Sequence, residues 1–194
     1  MANPTPAPQA PVASTRTRLL DAAAELFYRE GVGVGVEALC RAAGVSKRSM
    51  YQLFGSKDEL VAASLERIAP EYAAALLPAA DGRAPRARIL HVFERLEDLE
   101  SVQGFRGCPF VAAAVQVKSP DHPASLVARR QKDALCSFFQ HEAERGGAPD
   151  PAQLARQLTL VFDGASARSV VQAQGLDGLA VATAAALLDG AGVN

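Results

Sequence analysis

Three observations predict an all-α fold for this chain of 194 residues. Apolar residues make up 49% and are led by alanine, the best helix former, with few β-branched runs. Apolar side chains recur at helical spacing, as in Val36, Leu39, Cys40 and Ala43 at i, i+3, i+4 and i+7. Helix start and stop residues punctuate the chain at intervals that suit about nine helices. The length suits a small domain joined to a larger one, with a core that needs neither disulfides nor metal.

Residues 1–14, with Pro4, Pro6, Pro8 and Pro11, read as a disordered arm. A first helix runs from about Thr15 to Glu30, with Leu19, Ala23, Leu26 and Phe27 inward, and stops at Gly31. Gly31 to Val36 alternates Gly and Val. The third glycine of a dinucleotide loop is missing and a helix precedes it rather than a strand, so the stretch is a linker. The second helix ends at Gly44, which can take φ > 0. Ser46 caps a third, with Met50, Leu53 and Phe54 inward and Lys47, Arg48, Ser49, Tyr51 and Gln52 outward. Ser56 and Glu59 form a capping box for a fourth helix, which Pro70 should kink or end.

Beyond a loop near 76–85, a fifth helix is expected over 86–102, with Ile89, Phe93 and Leu96 inward and Arg88 and Glu97 among the mostly outward residues. Cys108-Pro109 opens a short, apolar sixth helix to Val117, which should be buried. A seventh follows from near Pro123 to Arg145 and an eighth from Asp150-Pro151 to about Ala173. Asp177 is expected to cap a ninth, about 178–188.

Two helices joined by a tight glycine turn make a helix-turn-helix, whose second helix enters the DNA major groove. The outward set fits that use. Lys and Arg bond guanine edges or phosphates, Gln pairs with adenine, and Ser and Tyr hydroxyls reach phosphate. Net charge is only −1, so placement of charge rather than its sum carries the reading. A helical ligand-binding or protein-interaction module with a vestigial head is the alternative.

The run Arg18-Leu-Leu-Asp-Ala-Ala-Ala-Glu-Leu-Phe27, then Gly31, Ala43-Gly-Val-Ser-Lys47, Met50-Tyr51, Phe54 and Ser56-Lys-Asp-Glu-Leu60 resembles the DNA-binding head of the tetracycline-repressor (TetR) family. The resemblance covers about Thr15 to Leu60. It implies a helix-turn-helix domain over 15–62, then an effector-binding and dimerisation domain over 63–194. Its expected partners are a double-stranded DNA operator, a small and largely apolar effector, and a second copy of the chain. Matching positions imply base contacts by Lys47, Arg48, Ser49 and Gln52, and phosphate contacts by Ser46, Tyr51 and Lys57, with Arg18 and Gly35 close to the backbone. The chain departs from the family pattern at three points. Gly35 stands where a Thr is usual, Arg48 where a small residue is common, and Leu53 where His is common.

The effector pocket is expected among His91, Phe93, Phe105, Cys108, Phe110, Gln116, Phe138 and Phe162. Gly164, Ala165, Ala182, Ala185 and Ala186 are expected at the dimer interface, where small residues allow helices to approach closely. Enzyme chemistry is not expected: there are no catalytic residues, no cofactor and no metal site. His91, His122 and His141 form no ligand-spaced pair, and no nucleophile motif stands out. Three cysteines without a C-x-x-C pair and the lack of any ~18-residue apolar run point to the cytoplasm and away from membranes.

Overall fold

Ser14 accepts a hydrogen bond from the Thr17 amide through Oγ (3.1 Å) and so begins α1, Thr15–Glu30, in the computed structural model, which describes residues 14–194. Apart from Ser14, the arm expected over 1–14 lies outside the described residues. The helices that follow are α2 (Val36–Ala43), α3 (Lys47–Leu53), α4 (Lys57–Leu76), α5 (Pro85–Glu100), α6 (Pro109–Val117), α7 (Pro123–Arg145), α8 (Pro151–Gln172) and α9 (Leu179–Gly190). The described residues contain nine helices and no strand. Proline stands at the first position of α5 to α8, where its missing N–H costs nothing.

Two apolar cores divide the molecule. The first joins α1, α2, α3 and the first half of α4 through Leu19, Leu39, Met50, Leu60 and Leu65, and it extends into α6 and α7 through Phe110, Ala113, Val127 and Ala128. The second is built on Phe93, Phe139 and Phe162. The Phe93 and Phe139 rings stack at 5.7 Å, and Phe162 meets Phe93 edge-on at 6.4 Å. Tyr72 packs against both cores, with its ring 5.5 Å from that of Phe110. The head is thus not packed off from the body at residue 62.

Three expectations about single residues are corrected, and one of the two alternatives at Pro70 is excluded. Pro70 does not end α4: the helix runs through to Leu76, and Pro70 lies on its exposed side, where water can serve the Glu66 carbonyl that loses its N–H partner. Leu53 is 40% exposed; only Met50 and Phe54, four residues apart, face the core from the end of α3. Arg88 is buried, its Nε donating to Glu142 (2.9 Å) and its Nη1 to the Ala79 carbonyl (2.7 Å). Asp177 does not cap α9 either. Its φ is 49°, the cap position belongs to Gly178, and the amides of Gly178, Ala180 and Val181 donate instead to the Glu97 carboxylate at 2.9–3.2 Å.

Candidate nucleic-acid interface

Gly44 closes α2 in the left-handed conformation (φ 63°, ψ 41°), which reverses the chain in a single residue. Val45 follows, its amide donating to the Cys40 carbonyl (2.9 Å). Ser46 then caps α3, with Oγ accepting from the Ser49 amide (3.0 Å). Met50 anchors the helix, fully buried, and fixes its rotation. As a result Lys47, Arg48, Tyr51 and Gln52 are exposed, and Ser49 half-exposed, on the outer side of α3. Arg18 approaches the turn from α1: a Cβ at Gly44 would lie 3.7 Å from its Nη1.

Two more positions flank this face. Gly35 caps α2 with its backbone alone, leaving no side-chain acceptor there. Lys57 opens α4 behind Ser56, whose Oγ accepts from the Glu59 amide (3.1 Å), while Glu59 accepts from Gly55 (2.8 Å). The amino end of α4 therefore presents a lysine and a positive helix terminus side by side.

Two neighbours of this face leave no signal in the sequence. Glu37 of α2 holds Lys47, with Oε1 2.6 Å from Nζ. The hydrogen bond and charge of each pull the Glu37 carboxyl below its ordinary pKa and the Lys47 ammonium above its own. Arg16 lays its guanidinium 5.2 Å over the Phe54 ring. Both are contacts between helices, and neither follows a helical repeat.

The family model for bacterial regulatory proteins of the tetR family matches residues 19–64, the stretch that carries this turn. A crystal structure assigned as a TetR transcriptional regulator (sav143) from Streptomyces avermitilis MA-4680 is 59% identical, with TM-score 0.90, over 94% of this chain and 100% of that one. The chain belongs to the TetR family. SCO4454 from Streptomyces coelicolor, at 24% identity and TM-score 0.80 over 92% and 96% of the two chains, shares the fold. The HTH-type transcriptional regulator YjdC of Escherichia coli (strain K12) is 30% identical over 84 residues, 43% of this chain and 44% of that protein. The chain spans under half the length of this curated relative. The TetR-family assignment makes this chain a DNA-binding transcriptional regulator and not an enzyme.

In the body of this TetR-family protein the eight expected pocket residues do not all share one cavity, but Cys108, Phe110 and Phe162 together line one of about 50 Å³. Phe93 and Phe162 are fully buried core. Phe138 tilts against Phe139 and lies 5.8 Å from the Arg88 guanidinium. Phe110 packs on Tyr72, and Cys108, 3% exposed, caps α6 with its backbone. His91 meets Arg83 Nη1 at 3.3 Å, and burial, then the Arg83 charge, push its pKa down. Gln116 turns to the head, its Oε1 accepting from the Val32 amide (2.8 Å). Phe105 lines a cleft of about 350 Å³ at the seam between α1 and the body, with Tyr28, Ile68, Tyr72 and Leu99. Tyr28 spans the same seam, its hydroxyl donating to the Gly107 carbonyl (3.2 Å) and accepting from the Arg106 amide (2.8 Å). Burial raises the Tyr28 phenol pKa, and that of Tyr72 far more.

Of the five expected interface residues, Gly164, Ala182 and Ala186 are exposed, Ala185 is half-buried, and Ala165 is buried in the protein's own core. A Cβ at Gly164 would meet nothing within 4 Å, so no contact within the chain requires that glycine. Leu160 (73% exposed) and Val171 (76%) extend the Gly164 face of α8, and Leu179 (49%) extends that of α9. Among the described residues no group of three His, Cys, Asp or Glu side chains is placed to hold a metal, and no helix is long and apolar enough to cross a membrane.

Proposed function

We propose that this TetR-family protein is a cytoplasmic, dimeric repressor that a small effector releases from a palindromic operator. The observation that carries the reading is the outer side of α3, where Lys47, Arg48, Ser49, Tyr51 and Gln52 project from a helix fixed by the Gly44 turn and by buried Met50. Lys47, Arg48, Ser49 and Gln52 take the base edges. Ser46, Tyr51 and Lys57 take phosphates, and Arg18 and Gly35 lie where the backbone passes. The exposed stripe Leu160, Gly164, Ala167 and Val171 on α8, with Leu179, Ala182 and Ala186 on α9, supports a second copy packed there. Two reading heads then meet successive major grooves ~34–36 Å apart. The effector acts by a population shift, binding better to the form in which the heads no longer match that spacing.

The test is an electrophoretic shift on DNA from the protein's own promoter, across a salt series. Changing Lys47 and Arg48 together to Ala abolishes specific binding, and the loss of two cations from the interface flattens the slope of log K against log salt. Unchanged affinity and slope would overturn the assignment of α3.

A further inference from the structure

The cleft between α6 and α7 combines an apolar lining with several cations. Its volume is about 360 Å³, and its floor is apolar, with Val111, Ala114 and Ala128. Its rim carries three cations, Lys118, Arg129 and Lys132. Lys132 is already neutralised by Asp163 and lies 4.6 Å over the Phe162 ring. Lys118 and Arg129 form no ion pair among the described residues, and the acids nearest in sequence, Asp121 and Asp133, serve neither. Arg129 reaches across the cleft mouth to the Pro120 carbonyl (3.3 Å). Lys118 ends α6 at φ 55°, a left-handed position where glycine or asparagine costs less.

We propose that this cleft binds a small amphiphilic anion, a carboxylate with an apolar body. Small-ligand sites combine an apolar lining with a few polar groups that fix orientation. Here those groups are two cations of one sign, without counter-ions, above an apolar floor. A neutral hydrocarbon would fill the floor and leave both charges unused. A carboxylate satisfies them with charge-assisted hydrogen bonds, about twice as strong as neutral ones. The volume lies at the low end of ligand sites, which suits a short chain or a single ring.

The proposal rests on the effector-gated reading above and names the effector's class and seat. Both walls of the cleft reach the head. Gln116 of α6 holds Val32, and the Arg106–Gly107 segment before α6 holds Tyr28. On the other wall, His122 at the start of α7 lies 3.4 Å from Asp58 of α4, and Arg130 lies 2.7 Å from Glu66. A molecule wedged between α6 and α7 therefore acts on contacts that orient α1 and α4.

The experiment titrates the full chain by calorimetry with octanoate, octan-1-ol and octylamine, which share a tail and differ in head group. Octanoate should bind most tightly. Lys118→Gln with Arg129→Gln should weaken it tenfold or more while DNA binding without ligand and the melting temperature stay as in the parent. Arg129→Glu should shift preference toward octylamine. Equal binding of octanoate and octan-1-ol, unchanged octanoate affinity in the double variant, or no octanoate binding would each overturn the proposal. Octanoate that binds in this charge-dependent way yet leaves the DNA complex intact upholds the cleft and refutes the effector-gated reading instead.

Discussion

In the head, Lys47 and Glu37 pair at 2.6 Å with side chains 54% and 73% exposed, whereas in the body Arg88 and Glu142 pair at 2.9 Å with side chains 10% and 3% exposed. The two contacts look alike by distance and differ in consequence. An exposed pair contributes about 0–1 kcal/mol, because water and salt screen it. Such a pair can be exchanged for a contact with DNA at little cost, as a DNA-reading surface requires. The buried pair is held by further groups: Glu142 also takes Arg145 at 2.6 Å, and Arg88 also takes Asp81 at 3.3 Å. It locks α5 to α7 and the loop before α5. The exposed Glu37–Lys47 pair is open to exchange; the buried Arg88–Glu142 pair fixes position.

The strongest way to break this contrast is Arg88→Ala. It leaves Glu142 buried with one partner fewer, and should cost about 3–5 kcal/mol in urea unfolding, while DNA affinity per folded molecule is unchanged. A loss below about 1 kcal/mol would place Arg88 with the surface pairs and erase the distinction. Next in size is Gly44→Ala in the head. The position is left-handed, so the added Cβ should cost about 1–2 kcal/mol. Here the loss should reach DNA affinity as well, because the strained turn sets the angle of α3. Loss of stability with intact affinity would show that α3 is positioned by its core contacts alone.

What could be read from the sequence follows the same division. The head was legible because its determinants are local. Gly44, Ser46 and Ser56 each act within four residues of themselves, and the proline starts of α5 to α8 are equally local. The body's determinants are distant. Glu97 caps α9 from 81 to 84 residues away, and Arg88 finds Glu142 across 54. Phe93 has the composition of a pocket lining, and only its packing between Phe139 and Phe162 shows that it fills the space instead. The charged cleft needed α6 and α7 side by side, since Lys118 and Arg129 share no helical face. Even in the head, the Glu37–Lys47 pair spans two helices and escaped the pattern.

That pair sets the smallest predicted effect. If Glu37 competes with DNA for Lys47, Glu37→Gln frees the ammonium and removes a negative charge beside the duplex. Affinity should rise roughly two- to fivefold for each head, the range that an exposed pair allows. The pH dependence fixes the sign. The folded-state pKa of Glu37 is lowered from 4.5, so the pair's contribution is complete above that value and fades as pH falls through the depressed one. The folded-state pKa of Lys47 is raised from 10.5, so its contribution is complete below that value and fades only as pH rises through the raised one. The pair is intact throughout the neutral range, and the gain from Glu37→Gln should be constant there. Fluorescence anisotropy on labelled operator DNA at several neutral pH values measures it. A gain that varies across that range would assign the effect to another titrating group, and no gain would mean that Lys47 reaches DNA without leaving Glu37.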